Sequence, residues 1–176
     1  MGLKVNSIRY KIENAQNLKT SYFTSSKNKS ISLRKTSPKI IIGRLEKIHL
    51  PDLTHFSLDA KVDTGAYTSS LHCHNIELTD KDGSQWVRFN VLDPDHPEYE
   101  DKPFESPVYK IKKVRSSNGY VEERVVIKQK AVFAGKKRII QLSLTNRSEM
   151  KYPVLIGRRF LTRRFIVDVS KKYLFN

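Results

Sequence analysis

The chain has 176 residues, 38% of them hydrophobic, with 33 Lys and Arg against 18 Asp and Glu, a net charge of +15. That length suits one domain with room for a tail. No apolar run approaches the ~18 residues that cross a bilayer, which excludes a transmembrane helix and leaves no membrane-embedded part. The single Cys, Cys73, excludes an internal disulfide, a Cys-x-x-Cys redox pair and a zinc knuckle, and it fits a reducing compartment such as the cytoplasm. The surplus of positive charge attracts nucleic acid, anionic membrane or acidic protein without choosing among them.

In chain order, the first forty residues carry nine basic side chains and one acid, Glu13, hence +8. They are rich in Ser, Thr and Asn with no sustained apolar period, so residues 1–39 read as a disordered basic arm. The arm lacks the apolar centre of a secretory signal. Its scarcity of acids leaves a transit peptide open, although Lys outnumbers Arg. From Ile40 the texture changes. Ile40–Ile42, Phe56–Val62, Ser70–Leu78, Trp86–Val91, Pro107–Val114, Tyr120–Lys128, Lys137–Leu144, Val154–Ile156 and Phe165–Val169 are short β-branched or aromatic runs. Asp82-Gly83, Asn118-Gly119 and Gly135-Lys136 punctuate them, and a Pro-rich stretch fills 94–107. The pattern predicts a mainly β domain over 40–176, a sandwich or barrel. Asn118-Gly119 is the sharpest local signal, because a two-residue type I′ turn needs positive φ at both central positions. One short helical turn is predicted around Arg158–Arg163.

The chemistry centres on Ala60-Lys61-Val62-Asp63-Thr64-Gly65-Ala66. An Asp at the end of an apolar strand, followed at once by Thr and Gly, is how an aspartic peptidase presents its carboxylate. Gly65 removes a side chain and lets backbone and substrate approach closely. The Thr64 hydroxyl can bond across to a second copy of the loop. Downstream, Val154-Leu155-Ile156-Gly157-Arg158 is an apolar triplet, then Gly, then the short helical turn.

With these two anchors in order, the chain resembles the retroviral-type aspartic peptidases, the retropepsins. It is most similar to a bacterial retropepsin-like family long labelled "ATP-dependent zinc protease". The likeness rests on Ala60–Ala66, Thr68–His72, Ser116-Ser117-Asn118-Gly119, Leu144-Thr145-Asn146-Arg147 and Leu155-Ile156-Gly157-Arg158, and it spans about residues 41–176. The resemblance implies a closed or partly closed β-barrel with one short helix, and an aspartic endopeptidase. It implies structural support from Ile156, Gly157 and Arg158 beneath the catalytic loop. It places a flap at Ser116–Gly119, with Ser117, Asn118 and Gly119 at its tip over the substrate. Relatives are often associated with ATP-grasp ligases of the RimK type that add glutamate to protein tails, which suggests a glutamate-rich substrate.

The family's label is not supported by the residues. His49, His55, His72, His74 and His96 include no His-Glu-x-x-His, and the phosphate-cradling Gly-x-x-x-x-Gly-Lys is missing. His72 and His74 alternate on one predicted strand and can share a face, but no third ligand has matching spacing. Neither zinc nor ATP is read from the sequence, and no cofactor is expected.

Aspartic catalysis needs two carboxylates close enough to share one proton. Asp52, Asp59, Asp80, Asp82, Asp93, Asp95, Asp101 and Asp168 have no Thr-Gly or Ser-Gly behind them. A symmetric homodimer contributing Asp63 twice is therefore expected, with Asp63, Thr64 and Gly65 as the catalytic set. Ala66 removes a hydroxyl donor that a Ser would offer the carboxylate. Lys61, two residues before Asp63, is expected on the same face. With Arg115 and Arg124 beside the hairpin, it suggests a cleft that prefers acidic side chains; the bland alternative is that Lys61 snorkels to water. The retroviral pattern has Asp four residues after the catalytic one, where this chain has Tyr67, so Arg158 lacks that partner. Six acids in 93–105 against Lys102 read as a solvated loop or as an occupant of a basic cleft. A non-catalytic peptide-binding barrel, or a nucleic-acid-binding one with Trp86, Phe89 and Tyr120 as stacking candidates, is the competing class.

Overall fold

Alternation with period two makes β3 (Ser57–Asp63) a strand with one wet and one dry side: Leu58, Ala60 and Val62 are buried, while Ser57, Asp59, Lys61 and Asp63 face outward. The computed structural model describes residues 38–115 and 121–175. Most of the predicted basic arm and the predicted hairpin tip, Ser116–Tyr120, lie outside the described residues. The other strands are β1 (Ile40–Gly43), β2 (Leu45–His49), β4 (Ser69–Lys81), β5 (Ser84–Val91), β6 (Pro103–Pro107), β7 (Lys110–Arg115), β8 (Val121–Phe133), β9 (Lys136–Thr145), β10 (Val154–Gly157) and β11 (Phe165–Asp168). The one short helix among them is α1 (Arg158–Leu161).

Strands β10, β3, β2, β8, β9 and β4 follow one another in hydrogen-bonded order, and β4 pairs again with β10, closing a barrel. The mainly β barrel predicted from the sequence is what forms. Closure leaves those strands no open edge over the paired lengths. Beyond its barrel half, β4 continues past an irregularity between His74 and Glu77 and carries β5 and then β6 as an outer ribbon. Strands β7 and the first part of β8 pair with each other as a separate two-stranded arm. Two hairpins take the left-handed backbone that a type I′ turn requires: Asp82 and Gly83 at φ 53° and 73°, and Ala134 and Gly135 at φ 48° and 67°. The second lies one residue earlier than Gly135-Lys136 suggested.

Three phenyl rings stop one end of the barrel. Phe160 of α1 stacks on Phe165 of β11 at 5.9 Å, and both meet Phe133 of β8 edge-on at 5.6 and 5.4 Å. Each pair adds about 0.5–1.5 kcal/mol beyond burial of its area. Cys73 is wholly buried, and that burial pushes its thiol well above its usual value, so it is an inert packing residue.

Two elements depart from the sequence reading. Residues 103–107 of the Pro-rich stretch form β6, an edge strand, where Pro is tolerated because an outward N–H is not needed. Strand β2 was not anticipated, because its alternation is broken by a charge: Glu46 is fully buried. Its carboxylate accepts N–H groups from Gly43 at 2.6 Å, Leu174 at 3.2 Å and Phe175 at 3.1 Å. It thereby fastens the end of the chain beside β1 and β2, where Tyr173 N–H also donates to Leu45. No helix among the described residues is long and apolar enough to cross a membrane. Because Ala at position 46 leaves one buried and two part-buried backbone donors without their partner, Glu46→Ala is expected to cost about 2–3 kcal/mol. A fall in the urea midpoint, measured beside wild type by circular dichroism, checks this; an unchanged midpoint contradicts it.

Candidate active site

Strand β10 is wedged between β3, which it joins in parallel with Gly157 opposite Asp63, and β4, which it joins antiparallel through Leu155 and Ser70. The chain leaving β3 must therefore loop over the end of β10. Gly157 makes room for it: a Cβ there would lie 2.7 Å from the Thr68 carbonyl carbon and 2.9 Å from the Tyr67 oxygen. The wedge is then tied to the loop. Gly157 N–H donates to Ser69 Oγ, Arg158 N–H to Ala66 O, and Arg159 N–H to Tyr67 O, at 3.0, 2.8 and 3.0 Å.

Within the loop, Asp63 Oδ1 accepts N–H groups from Gly65 at 2.8 Å and Ala66 at 3.1 Å. A Cβ on Gly65 would lie 3.1 Å from that oxygen, so Gly permits the short approach. Oδ2 accepts no hydrogen bond among the described residues, and the side chain is half-buried. Thr64 is exposed. Lys61 is exposed on the same side of β3 as Asp63. Arg158 contributes backbone only, its side chain being exposed; Arg159 reaches the Tyr67 hydroxyl at 3.4 Å.

A cleft of about 420 Å³ opens beside the loop. Its floor is a row of neighbours across β10, β4 and β9: Leu155, Ser70 and Ser143. Lys61 follows Leu155 in that row and is exposed, outside the residues that line the cleft. Its roof is the β7–β8 arm, which presents Lys112, Lys113, Val114 and Arg124. Lys112 closes on the Asp63 loop, donating to Thr68 Oγ1 at 3.0 Å with its ammonium 5.2 Å from the centre of the Tyr67 ring. Arg115 sits at the end of β7 opposite Val121, and the expected flap residues Ser117, Asn118 and Gly119 lie outside the described residues. A larger hollow of about 660 Å³, over β2 and the β8–β9 turn, shares no residue with this loop and holds no convergent chemistry.

The back of the cleft holds a residue that the sequence reading gave no role, Arg147. Its N–H donates to His72 Nδ1 at 2.8 Å, so that nitrogen is unprotonated and His72 Nε2 donates to Asp93 Oδ2, also at 2.8 Å. Arg147 Nη1 donates to Ser70 Oγ at 3.2 Å. Burial, then the nearby Arg124 guanidinium, pull the Arg147 guanidinium below its usual value, while Asp63 opposes them. The available signals were the polar Thr145-Asn146-Arg147 closing an apolar strand, and Ser70 with His72 two apart. His72 is thus engaged by Asp93, and among the described residues no cluster of three His, Cys, Asp or Glu is placed to hold a metal ion. The acids of 93–105 do not line the cleft: Asp93 binds His72, Asp101 accepts from Asn90, Glu100 meets His55 and Glu105 pairs with Lys81.

A barrel in which an Asp-Thr-Gly loop rides on a Gly-Arg wedge is the scaffold of the retropepsin-like aspartic peptidases. A family profile described as the retropepsin-like aspartic endopeptidase RimB matches residues 41–176, and the chain belongs to this RimB-like family. It is 40% identical over 134 residues to a probable alpha-L-glutamate ligase of Parasynechococcus marenigrum, covering 74% of this chain and 28% of that protein. A protein of the same name from Shewanella halifaxensis is 35% identical over 139 residues, covering 77% and 30%. The chain thus spans less than a third of the length of these curated relatives. Its fold is also that of a Legionella pneumophila protein of unknown function, solved by crystallography, at 31% identity and a TM-score of 0.64, covering 78% of this chain and 98% of that one.

Because the Gly157 contacts are with backbone, which cannot swing aside, Gly157→Ala is expected to cost about 1–3 kcal/mol and to displace the Asp63 loop. Thermal melting reads the first effect and amide chemical shifts of Gly65 and Ala66 the second; a melting point and shifts like wild type would disprove the wedge.

Proposed function

We propose that the protein is an aspartic endopeptidase working as a homodimer, with Asp63 supplied once by each protomer. The observation that carries this reading is the Asp63 carboxylate, pinned through one oxygen by two backbone N–H groups while the other has no hydrogen bond among the described residues. One carboxylate of the pair accepts a proton from water, and the hydroxide attacks the scissile carbonyl carbon. The partner's protonated Asp63 donates to the carbonyl oxygen, giving a tetrahedral diol. Collapse of the diol breaks the C–N bond as a carboxyl proton passes to the leaving nitrogen. Thr64, exposed beside Asp63, bonds to the matching loop across the two-fold axis, and Gly65 keeps the loop open to substrate.

The substrate is an acidic, glutamate-rich protein segment. Lys61, in register beside Leu155 of the floor, and Arg124 in the roof supply positive field, and Ala66 lines the cleft. A substrate-contacting role for Ser117, Asn118 and Gly119 rests on the family resemblance alone, and one for Arg115 on its charge beside them in the sequence. Curated relatives are named probable alpha-L-glutamate ligases, which supports a shared pathway with RimK-type ligases, one enzyme adding glutamate and the other removing it, in the cytoplasm.

Purified full-length protein is expected to cleave unstructured glutamate-rich peptides, and Asp63→Asn to lower the rate about a thousandfold or more. Adding excess Asp63→Asn protein to wild type should suppress activity through mixed dimers, and activity per chain should fall on dilution. Cleavage by a species that sedimentation shows to be monomeric defeats the dimer reading. Salt-sensitive nucleic-acid binding without any cleavage favours the non-catalytic class instead.

A further inference from the structure

Arg147 is held with more care than a surface cation needs. Its backbone is fixed by a buried His72, whose tautomer is fixed in turn by Asp93, and its Nη1 by Ser70, itself buried in the cleft floor. Among the described residues the guanidinium nevertheless has only a neutral hydroxyl as partner. Its Nε is shut away from solvent with no acceptor, and no carboxylate among the described residues forms an ion pair with it. Arg124 lines the same cleft and opposes that guanidinium, and among the described residues its hydrogen bond is from Nε to the half-exposed Glu122 at 2.8 Å. Two guanidinium groups lining one partly dried cleft, one from its roof and one from its back, are costly unless an anion joins them. The cleft of about 420 Å³ in front of them is open to such an anion and lies beside the loop of Asp63.

We infer that Arg147, assisted by Arg124, is a carboxylate-binding subsite that selects the peptides delivered to Asp63. The subsite rests on the peptidase reading above for its use, though not for its ability to bind. Guanidinium planes match carboxylates through paired N–H donors, which an ammonium cannot reproduce. The carboxylate comes either from a Glu or Asp side chain near the scissile bond or from the free α-carboxylate of a short peptide end. His72 acts only as a positioning residue, since it touches Arg147 and not the cleft.

The test uses full-length protein and four matched peptides, with Glu or Gln at one site and a free or amidated C-terminus. Wild type should prefer one carboxylate over its neutral twin by roughly 10- to 100-fold in kcat/KM. A Glu-over-Gln preference identifies a side chain, and a free-acid-over-amide preference identifies a chain end. In Arg147→Gln that ratio should collapse towards one, and in Arg147→Lys it should recover only in part. His72→Asn, which keeps an acceptor near Nδ1, should retain more of the ratio than His72→Leu. Melting curves accompany each variant. No discrimination by wild type, or a ratio unaltered in Arg147→Gln, overturns the subsite. A variant that shifts the pH profile for all peptides alike with an unchanged ratio overturns it too, because Arg147 then acts only on the ionisation of Asp63. Binding measured in the Asp63→Asn background separates the two readings. Carboxylate-selective, Arg147-dependent binding without cleavage by wild type removes the peptidase and keeps the subsite, whereas cleavage without selectivity does the reverse.

Discussion

The backbone of the Asp63 loop lies on the end of β10 with no side chain between them, and the site's geometry follows from that contact. Gly157 is within van der Waals distance of the Tyr67 and Thr68 backbone, so the loop can be neither lower nor further along. Three N–H groups of the wedge, from Gly157, Arg158 and Arg159, then satisfy groups of the segment that crosses above. Buried backbone polar groups need partners, and here the partners are also positioning devices. The turn of helix that follows drives Phe160 into the barrel's aromatic plug, so the loop is referenced to the core through very few bonds.

The cleft has a stiff side and a soft side. Its floor belongs to closed-barrel strands paired on both flanks, whereas its roof is a ribbon in which β7 pairs only with β8. Local opening is cheapest where few buried contacts are lost, so motion of the roof costs less than motion of the floor. Lys112 is the contact that such motion breaks, because it bridges the roof to Thr68 and to the face of Tyr67. Tyr67 stands where retroviral peptidases carry an acid, and its hydroxyl meets Arg159, so an aromatic ring with a polar tip does the bracing here.

Charge is arranged as well as abundant. Four of the six acids between 93 and 105 are engaged away from the cleft, Asp93 by His72, Glu100 by His55, Asp101 by Asn90 and Glu105 by Lys81, while Lys112, Lys113, Arg124 and Arg147 stand around one cavity. A hollow lined by one sign of charge focuses its field on whatever enters.

The strands with strict alternation or continuous β-branched runs were legible, as were the Asp82-Gly83 turn and the two anchors Asp63-Thr64-Gly65 and Ile156-Gly157-Arg158, because those signals are local. Strand β2 was not, since Glu46 reads as a surface residue until its three donors arrive from both ends of the described chain. Nor was β6, whose prolines fit a loop until an edge position beside β5 becomes available. Arg147 is the clearest case: its neighbours Ser70, His72, Arg124 and Asp63 lie 23 to 84 residues away in sequence and meet only through the β4–β9 register and the fold of the loop. The sequence by itself determined most of the strands and the Asp63-Thr64-Gly65 motif, because period and motif depend on nearest neighbours. Barrel closure, the wedge under the loop and the cationic wall of the cleft were decided by tertiary structure, because each is a contact between segments that only packing brings together.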